Sequence, residues 1–301
     1  MPDSTVRPDV AARIEREVAK IQEELPALAS LLQAFKELLI EVAVAKADLA
    51  EPQSSELPEI DADAFRQGVP LAGKESFLVE GRLLNEIARR MLPAMRRGFP
   101  KIDQDLIAIE EALKEQRLDL EGVAKNLLET KDEAIEETAR AIGAKPKILR
   151  FVVGWCLKPF VEFRAASIAP VCEQLAWSKG YCPICGSWPS LSLLRGQEGQ
   201  RWVKCSFCGH EWRFIRTSCP FCDNEDQAKL EFFFSQERER ERAEVCHACK
   251  RYMVGIDLRN RVDEPLIDVT PLGLVYLDIL AQRQGFTPGA ITDWNVLDEE
   301  A

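Results

Sequence analysis

The segment that decides the fold runs from Tyr181 to Met253 and contains four Cys-x-x-Cys pairs. A thiolate pair of this spacing grips one metal ion from a tight turn, and two such turns complete a tetrahedral four-sulfur site. Pairing of neighbouring turns therefore predicts two metal sites. The first consists of Cys182, Cys185, Cys205 and Cys208, and the second consists of Cys219, Cys222, Cys246 and Cys249.

The residues between the paired turns read as two β-hairpins. The gap after Cys185 has 19 residues, and the gap after Cys222 has 23, slightly more than is usual for a metal ribbon. Strands over residues 191–194 and 201–204 flank a glycine-containing turn in the first gap. In the second gap, residues 230–234 lead into the alternating glutamates and arginines of 237–242. If that run is a strand, its period of two places the glutamates on one face and the arginines on the other, as in an exposed hairpin arm.

The two ribbons also form an internal repeat. Cys182-Pro183-Ile184-Cys185 is echoed by Cys219-Pro220-Phe221-Cys222. In the first ribbon, Gly186 and Gly209 follow the paired cysteines, whereas Asp223 and Lys250 occupy these places in the second. A left-handed backbone conformation at these positions causes no steric strain for glycine, and Asp tolerates it better than Lys does. We therefore expect the second site to be weaker or less rigid.

Composition limits the classes of function. The chain of 301 residues carries a formal net charge of −11, which argues against binding of a polyanion as the main activity. No basic start and apolar run of a secretory signal is present, so we expect a cytoplasmic protein. Charged residues interrupt its most apolar segment, 148–171, and predict no membrane span. In a reducing compartment the cysteine pairs are metal ligands or redox centres rather than structural disulfides.

The remainder of the chain is predominantly helical by its apolar periodicity. Helices are predicted within 8–49, where Pro26 separates two of them, and over 74–97, 103–116, 121–130, 133–142, 145–172 and 272–283. The sequence therefore predicts an α+β multidomain protein: a helical domain at 1–175, ribbon modules at 176–213 and 214–262, and a C-terminal helical segment at 263–301. Residues 52–73 are predicted to connect two of these helices, and their sequence does not indicate a function.

The chemistry of the predicted sites does not determine which metal ion they bind. Four thiolates suit zinc, where the role is structural, and equally a single iron that changes redox state. A filled tetrahedral site leaves no position for hydrolytic chemistry, and we find no catalytic motif elsewhere, so we expect a protein that is not an enzyme. His210 and His247 are not needed as ligands. Cys156 and Cys172 lie outside the turns and are predicted to pack as small apolar side chains.

A longer motif resembles the formate dehydrogenase accessory protein family, FdhE. It begins with Cys182-Pro183-x-Cys185-Gly186-Ser187-x-Pro189 and continues with Gly199-x-Arg201-Trp202, Cys205-x-x-Cys208-x-x-Glu211-Trp212-x-x-x-Arg216-x-x-Cys219-Pro220-x-Cys222, Glu244-Val245-Cys246-x-x-Cys249-x-x-Tyr252 and Leu277-Asp278-Ile279-Leu280-Ala281. The resemblance covers about residues 181–285. Four cysteine pairs joined by Glu-Trp, Arg and Cys-Pro at these offsets are far more specific than one pair alone.

The resemblance implies a cytoplasmic maturation factor that binds the catalytic subunit of a molybdenum- or tungsten-dependent formate dehydrogenase before export. It also implies a helical N-terminal domain followed by two tandem rubredoxin-like or zinc-ribbon modules, with iron as a credible ligand of the eight paired cysteines. Two positions depart from the family pattern: Val254, where a basic residue is expected, and Thr270-Pro271, where an acidic pair is expected. These departures concern partner contacts more than the metal sites.

Two other functions remain as alternatives. A tandem zinc-ribbon protein can bind nucleic acid, and five cations of the ribbon region are candidates for phosphate contacts: Arg195, Arg201, Lys204, Arg213 and Arg216. The acidic net charge disfavours this function. A thiol oxidoreductase would use one or more cysteine pairs as a reversible disulfide, because such pairs can have lowered pKa values. Stable metal at both sites would argue against it.

Overall fold

The computed structural model describes residues 6–49, 61–261 and 263–296 and confirms the predicted α+β class. The chain divides into two units: a helical unit, from residues 1–55 and 73–164, and a sheet unit, from residues 56–72 and 165–301. The division into four parts at 175, 213 and 262 stays a prediction. Part of the predicted connection, residues 61–72, belongs to the sheet unit, and residues 50–60 lie outside the described ranges.

Helices make up most of the chain before the first cysteine pair. They are α1 (Val6–Glu24), α2 (Ala29–Asp48), α3 (Ala62–Arg66), α4 (Gly81–Gly98), α5 (Asp103–Lys114), α6 (Leu120–Leu128), α7 (Asp132–Ile142) and α8 (Pro146–Cys172). The predicted break at Pro26 is present as a short 3-10 turn, Pro26–Leu28. The helix predicted from residue 74 begins later, because Lys74–Phe77 forms another 3-10 turn.

The helical unit has a core of aliphatic and aromatic side chains. Leu32, Phe35 and Leu38 of α2 are buried, as are Met91 and Met95 of α4, in agreement with the 3.6-residue period of both segments. The Phe35 ring lies 5.0 Å from that of Phe99 and 5.7 Å from that of Trp155. Four arginines lie in the second half of α4, at positions 89, 90, 96 and 97, and three of them pair with acidic side chains: Arg90, Arg96 and Arg97.

The two ribbons share one sheet. Its strands are β1 (Pro189–Arg195), β2 (Gln200–Cys205), β3 (Glu211–Arg213), β4 (Leu230–Phe233), β5 (Glu241–Cys246), β6 (Arg251–Asp257) and β7 (Thr287–Pro288). Their order is β3-β2-β1-β6-β5-β4, with β7 beside one end of β6. Neighbouring strands of each ribbon are antiparallel, whereas β1 and β6 are parallel and join the ribbons.

The faces of this sheet differ in polarity because side chains alternate along each strand. One face packs against α10 (Val275–Arg283), a helix that follows the short α9 (Thr270–Gly273). Its buried cluster includes Leu191, Leu193, Ala243, Val245, Tyr252, Val254, Ile256, Leu274, Leu277, Ala281 and Phe286. The other face carries a polar row, since Ser192 and Arg242 both lie opposite Gly255 in the register.

One strand prediction is wrong. Residues 234–240 form turns, and β5 begins only at Glu241. The Glu241 side chain is buried and binds Arg238, and the Tyr276 hydroxyl donates to it over 2.8 Å. The alternating run therefore folds back on itself to satisfy a buried carboxylate instead of extending as an exposed arm. The first hairpin and the final helix lie where the sequence predicts them.

The helices of the described ranges contain no stretch both long and apolar enough to cross a lipid bilayer.

Candidate metal centres

Each cysteine pair is held by a left-handed turn. The residue after the second cysteine has a positive φ in all four turns, at Gly186 (74°), Gly209 (70°), Asp223 (55°) and Lys250 (59°). Its amide donates to the carbonyl of the first cysteine in three of these turns, for example from Gly186 to Cys182 over 2.9 Å. The left-handed geometry inferred from the two glycines therefore extends to both non-glycine positions, where it is strained for Lys250.

The structure brings the predicted residues of the first site together. The Sγ atoms of Cys182 and Cys208 lie 3.6 Å apart, and those of Cys185 and Cys205 lie 3.4 Å apart. Sulfur atoms bound at about 2.3 Å to one tetrahedral metal ion lie about 3.8 Å from each other, whereas a disulfide needs about 2.05 Å. The spacing and the soft donor set therefore fit a metal ion, and all four cysteines are buried.

The second site has the same geometry but more exposure. The Sγ atoms of Cys219 and Cys249 lie 3.8 Å apart, and so do those of Cys222 and Cys246. Cys222 is exposed and Cys249 is half-buried, whereas the other two are buried. Water and chelators therefore reach this site more readily than the first. Within the described ranges, these two groups of four are the sets of donors close enough to hold a metal ion, and each consists of cysteine alone.

A metal ion would compete with protons in the first site. Burial raises the pKa of the Cys182 thiol well above its ordinary value, while hydrogen bonds from Cys182, Cys205 and Cys208 lower that of Cys185. The neighbouring thiols thus stabilise the thiolate form of Cys185. Binding of zinc or iron displaces the thiol protons, so metal affinity falls as the pH falls.

A segment far away in the sequence supports the first turn. The amides of Leu71 and Ala72 donate to the carbonyls of Pro183 and Ile184 over 2.9 and 2.8 Å. The hydroxyl of Tyr181 donates to the Gly68 carbonyl over 2.8 Å. Residues 68–72 thus satisfy main-chain groups inside the first turn. No side-chain pattern indicates this role, because the contacts are made by backbone atoms and do not require a particular side chain.

Arg201 ties the first ribbon to the second site. Its guanidinium lies 2.6 Å from the Glu244 carboxylate and donates to the carbonyls of Ile215 and Ser218 over 3.3 and 3.1 Å. Ser218 directly precedes Cys219. Burial opposes ionisation of Glu244, but Arg201 and Arg242 outweigh it and hold its pKa below the ordinary value. Arg201 is therefore a positioning residue for the approach to the second site.

The other candidates named from the sequence lie outside both ligand sets. Burial lowers the pKa of His210 to about 4, and its ring stacks on Trp212. His247 Nε2 lies 2.8 Å from the Glu231 carboxylate. Cys156 and Cys172 are both buried, and burial raises their pKa values to about 12 and about 11. Thiols of such high pKa behave as apolar side chains rather than nucleophiles.

Three of the five cations considered for phosphate contact are engaged within the sheet unit. Arg195 pairs with Glu211 and Glu264, and Lys204 lies 2.6 Å from Asp268. Arg201 is buried and bound to Glu244. Phosphate binding requires a concentrated surface of free positive charge. These ion pairs weaken the case for a nucleic-acid-binding protein.

Comparisons with known proteins agree with this arrangement. A family model described as the central domain of FdhE matches residues 181–216. An FdhE homologue from Aquifex aeolicus is 35% identical over 147 residues, and one from Haemophilus influenzae is 25% identical over 270 residues. The crystal structure of the FdhE protein from Pseudomonas aeruginosa superposes with a TM-score of 0.61, covering 96% of this chain and 95% of that chain. Over these ranges the chain is similar to FdhE proteins.

The coverage of these FdhE relatives differs. The alignment with the A. aeolicus homologue spans 48% of this chain and about half, 51%, of that protein. The alignment with the H. influenzae homologue spans 88% and 83%. Sequence identity to the crystallised FdhE protein is 21%, so that likeness shows a common fold. The fold predicted from the sequence, a helical region followed by ribbons with two groups of four cysteines and C-terminal helices, is confirmed.

Proposed function

We propose that this chain is a cytoplasmic accessory factor for the assembly and activation of a respiratory formate dehydrogenase, and that it binds the catalytic subunit of that enzyme. Similarity to FdhE proteins, including the match of the FdhE central-domain model around the first four cysteines, is the observation that carries this proposal. The relevant surface is in the sheet unit, where both metal centres lie.

The eight paired cysteines are proposed to bind two metal ions, iron or zinc, one in each group of four. The Sγ separations of 3.4 to 3.8 Å across both groups support this assignment. Four thiolates fill a tetrahedral ion, so neither centre has an open position at which water or formate can be activated. The proposed function is therefore binding and maturation of another protein, without turnover of formate by this chain.

The metal ions would act on the partner by fixing a surface. Each ion closes two turns that carry few apolar residues of their own, and its binding free energy contributes directly to folding. The second centre also anchors the segment that ends at Cys219, in which the Ser218 carbonyl accepts a hydrogen bond from the buried Arg201. If the ion is iron, the greater exposure of this centre gives a path for electron exchange with the partner.

The proposal is tested by co-purification. Affinity-tagged protein is isolated from a host that expresses its own formate dehydrogenase, and the catalytic subunit is measured in the eluate. We expect the subunit to be retained by the unaltered protein and lost when Cys219 and Cys222 are both changed to Ser. Cys156→Ser, at a buried cysteine outside both centres, is the matched control and should retain it. Absence of the subunit from every eluate, with normal dehydrogenase activity in a deletion strain, would overturn the proposal.

A further inference from the structure

A cavity of about 440 Å³ lies on the polar face of the sheet beside the second metal centre. Its floor is formed by β5 and β6, with Arg242, Glu244 and Arg251 among the lining residues. The segment from Arg216 to Phe221 and residues 230–232 of β4 also line it. This volume is within the range of natural ligand sites.

Positive charge exceeds negative charge in this cavity. Four arginines line it, Arg201, Arg216, Arg242 and Arg251, together with two carboxylates, Glu231 and Glu244. Glu244 is shared by Arg201 and Arg242, and Glu231 lies against His247. Within the described ranges, the head groups of the remaining two arginines contact the Glu198 carbonyl and the Trp188 ring and form no ion pair. A positive cavity in a protein of net charge −11 therefore has two guanidinium groups available for an anion.

The two guanidinium groups are not explained as partners of the thiolates of the second centre. The head group of Arg216 contacts the hairpin turn at Glu198, and that of Arg251 contacts the ring of Trp188, and both of these contacts are with the first ribbon. Arg216 is also exposed to solvent, so its charge is available at the surface. An anionic group of another molecule can therefore reach it.

Large apolar side chains surround the opening. Phe232 is 54% exposed and lines the cavity, and Ile215, 57% exposed, precedes Arg216. The ring of Phe234 lies 5.9 Å from that of Phe232. Arg242 is placed over the Phe232 ring, with its Cζ 5.6 Å from the ring centroid. Exposed aromatic rings beside unpaired arginines are the composition typical of protein-binding surfaces.

The strand beside the cavity has an open edge. β4 is the last strand in the sheet order, and no strand of the described ranges pairs with its outer side. Since the His247 amide donates to the Lys229 carbonyl, the alternation of an antiparallel ladder turns the backbone groups of Leu230 and Phe232 outward. An added strand would place every second side chain on the cavity face of the sheet.

We propose that the cavity and the open edge of β4 bind an extended segment of a partner protein in which acidic and apolar side chains alternate. Acidic side chains would face the cavity and bind Arg216 and Arg251, while the alternating apolar ones would lie on the opposite face of the sheet beside Phe233. The inference rests on the proposed function in one respect, namely that the segment belongs to the catalytic subunit of formate dehydrogenase. Charge complementarity selects an acidic protein segment as the occupant.

Two binding measurements test this proposal on the full metal-loaded chain. The first measures affinity for the purified catalytic subunit, and the second measures fluorescence anisotropy of a labelled octapeptide of alternating valine and glutamate. Arg216→Glu, alone and combined with Arg251→Glu, is compared with Arg213→Glu, an exposed arginine of β3 that does not line the cavity. Metal content and circular dichroism verify that each variant is folded.

We expect Arg216→Glu to weaken both interactions by about tenfold or more and Arg213→Glu to change them by less than about twofold. Replacing glutamate by glutamine in the peptide should abolish binding. If the subunit binds but both arginine variants behave alike, the cavity proposal fails and the proposed function stands. If the peptide binds as expected but the subunit does not, the proposed function fails and the cavity proposal stands. Equal binding of the glutamate and glutamine peptides, or binding of neither, would overturn the cavity proposal.

Discussion

The guanidinium of Arg201 and the carboxylate of Glu244 lie 2.6 Å apart and join β2 of the first ribbon to β5 of the second. The same guanidinium binds two carbonyls of the chain that leads to Cys219. The two groups of four cysteines are thus built on one sheet whose polar face is held by a buried ion pair. Because removal of one partner leaves the other charge buried, this pair makes a clear prediction.

Changing Arg201 to Ala should destabilise the protein by about 3 kcal/mol or more, because Glu244 and two carbonyls lose a buried donor. Metal should be lost from the second centre before the first. The free energy of urea unfolding and the metal content per chain measure these effects. Arg213→Ala serves as the exposed control and should change the free energy of unfolding by less than about 0.5 kcal/mol. Equal effects of the two substitutions would show that the ion pair does not organise the second centre.

The two centres should release metal at different rates. A chelator reaches the exposed Cys222 and half-buried Cys249 more readily than the four buried sulfurs of the first centre. We expect two kinetic phases of metal release. Changing Cys219 and Cys222 to Ser should remove the fast phase, whereas changing Cys182 and Cys185 to Ser should remove the slow one. A single phase in the unaltered protein would contradict the difference in exposure.

Two glycines of the sheet unit test the left-handed turn of the first centre. Gly186 (φ 74°) and Gly196 (φ 68°) have similar backbone angles, so alanine costs each of them about 1 kcal/mol. A Cβ at Gly186 would also lie 3.2 Å from Pro70, whereas nothing lies within 4 Å of one at Gly196. We therefore expect Gly186→Ala to lower the free energy of unfolding more than Gly196→Ala and to weaken metal binding at the first centre. If Gly196→Ala has the larger effect, the contact with Pro70 is not tight.

Asp278 predicts a dependence of stability on pH. Burial raises its pKa to about 7, although the Tyr252 hydroxyl donates to Oδ1 over 2.8 Å. A folded-state pKa above the unfolded value makes the folded state bind more protons between about pH 4 and pH 7. The stability contributed by this group is therefore present at low pH and lost as the pH rises to about 7, by up to about 4 kcal/mol.

The Asp278→Asn variant isolates this effect, because Asn keeps an acceptor for Tyr252 but does not titrate. We expect the variant to gain stability relative to the unaltered protein as the pH rises from about 4 to about 7. The difference between the two proteins, measured by urea unfolding at fixed metal content, cancels the titration of the cysteines. A difference that does not vary with pH would mean that Asp278 is ionised in the folded protein.

Local chemistry was predictable from the sequence. The Cys-x-x-Cys spacing predicted which four sulfurs meet in each group, and the glycines at 186 and 209 predicted left-handed turns. The helices and the first hairpin followed from apolar periodicity. These features depend on residues close together in the chain, where spacing constrains geometry directly.

Non-local features were not predictable in the same way. The parallel pairing of β1 with β6 joins strands more than 50 residues apart, and no turn between them signals it. The backbone contacts of residues 68–72 leave no side-chain pattern. The alternating run at 237–242 satisfied the period of a strand. Contacts of Glu241 with Arg238 of the same run and with Tyr276 of α10 favoured turns instead. Arg201 looked like a surface cation because its carboxylate partner lies 43 residues away.

The central claim is that each group of four cysteines holds one metal ion. It is tested most directly by the metal content and absorption spectrum of protein purified without oxygen, alongside the variant with Cys219 and Cys222 changed to Ser. We expect two ions per chain in the unaltered protein and one in the variant, with visible thiolate-to-metal bands if the ion is iron and none if it is zinc. Purified protein without bound metal, or a variant that retains both ions, would contradict the claim.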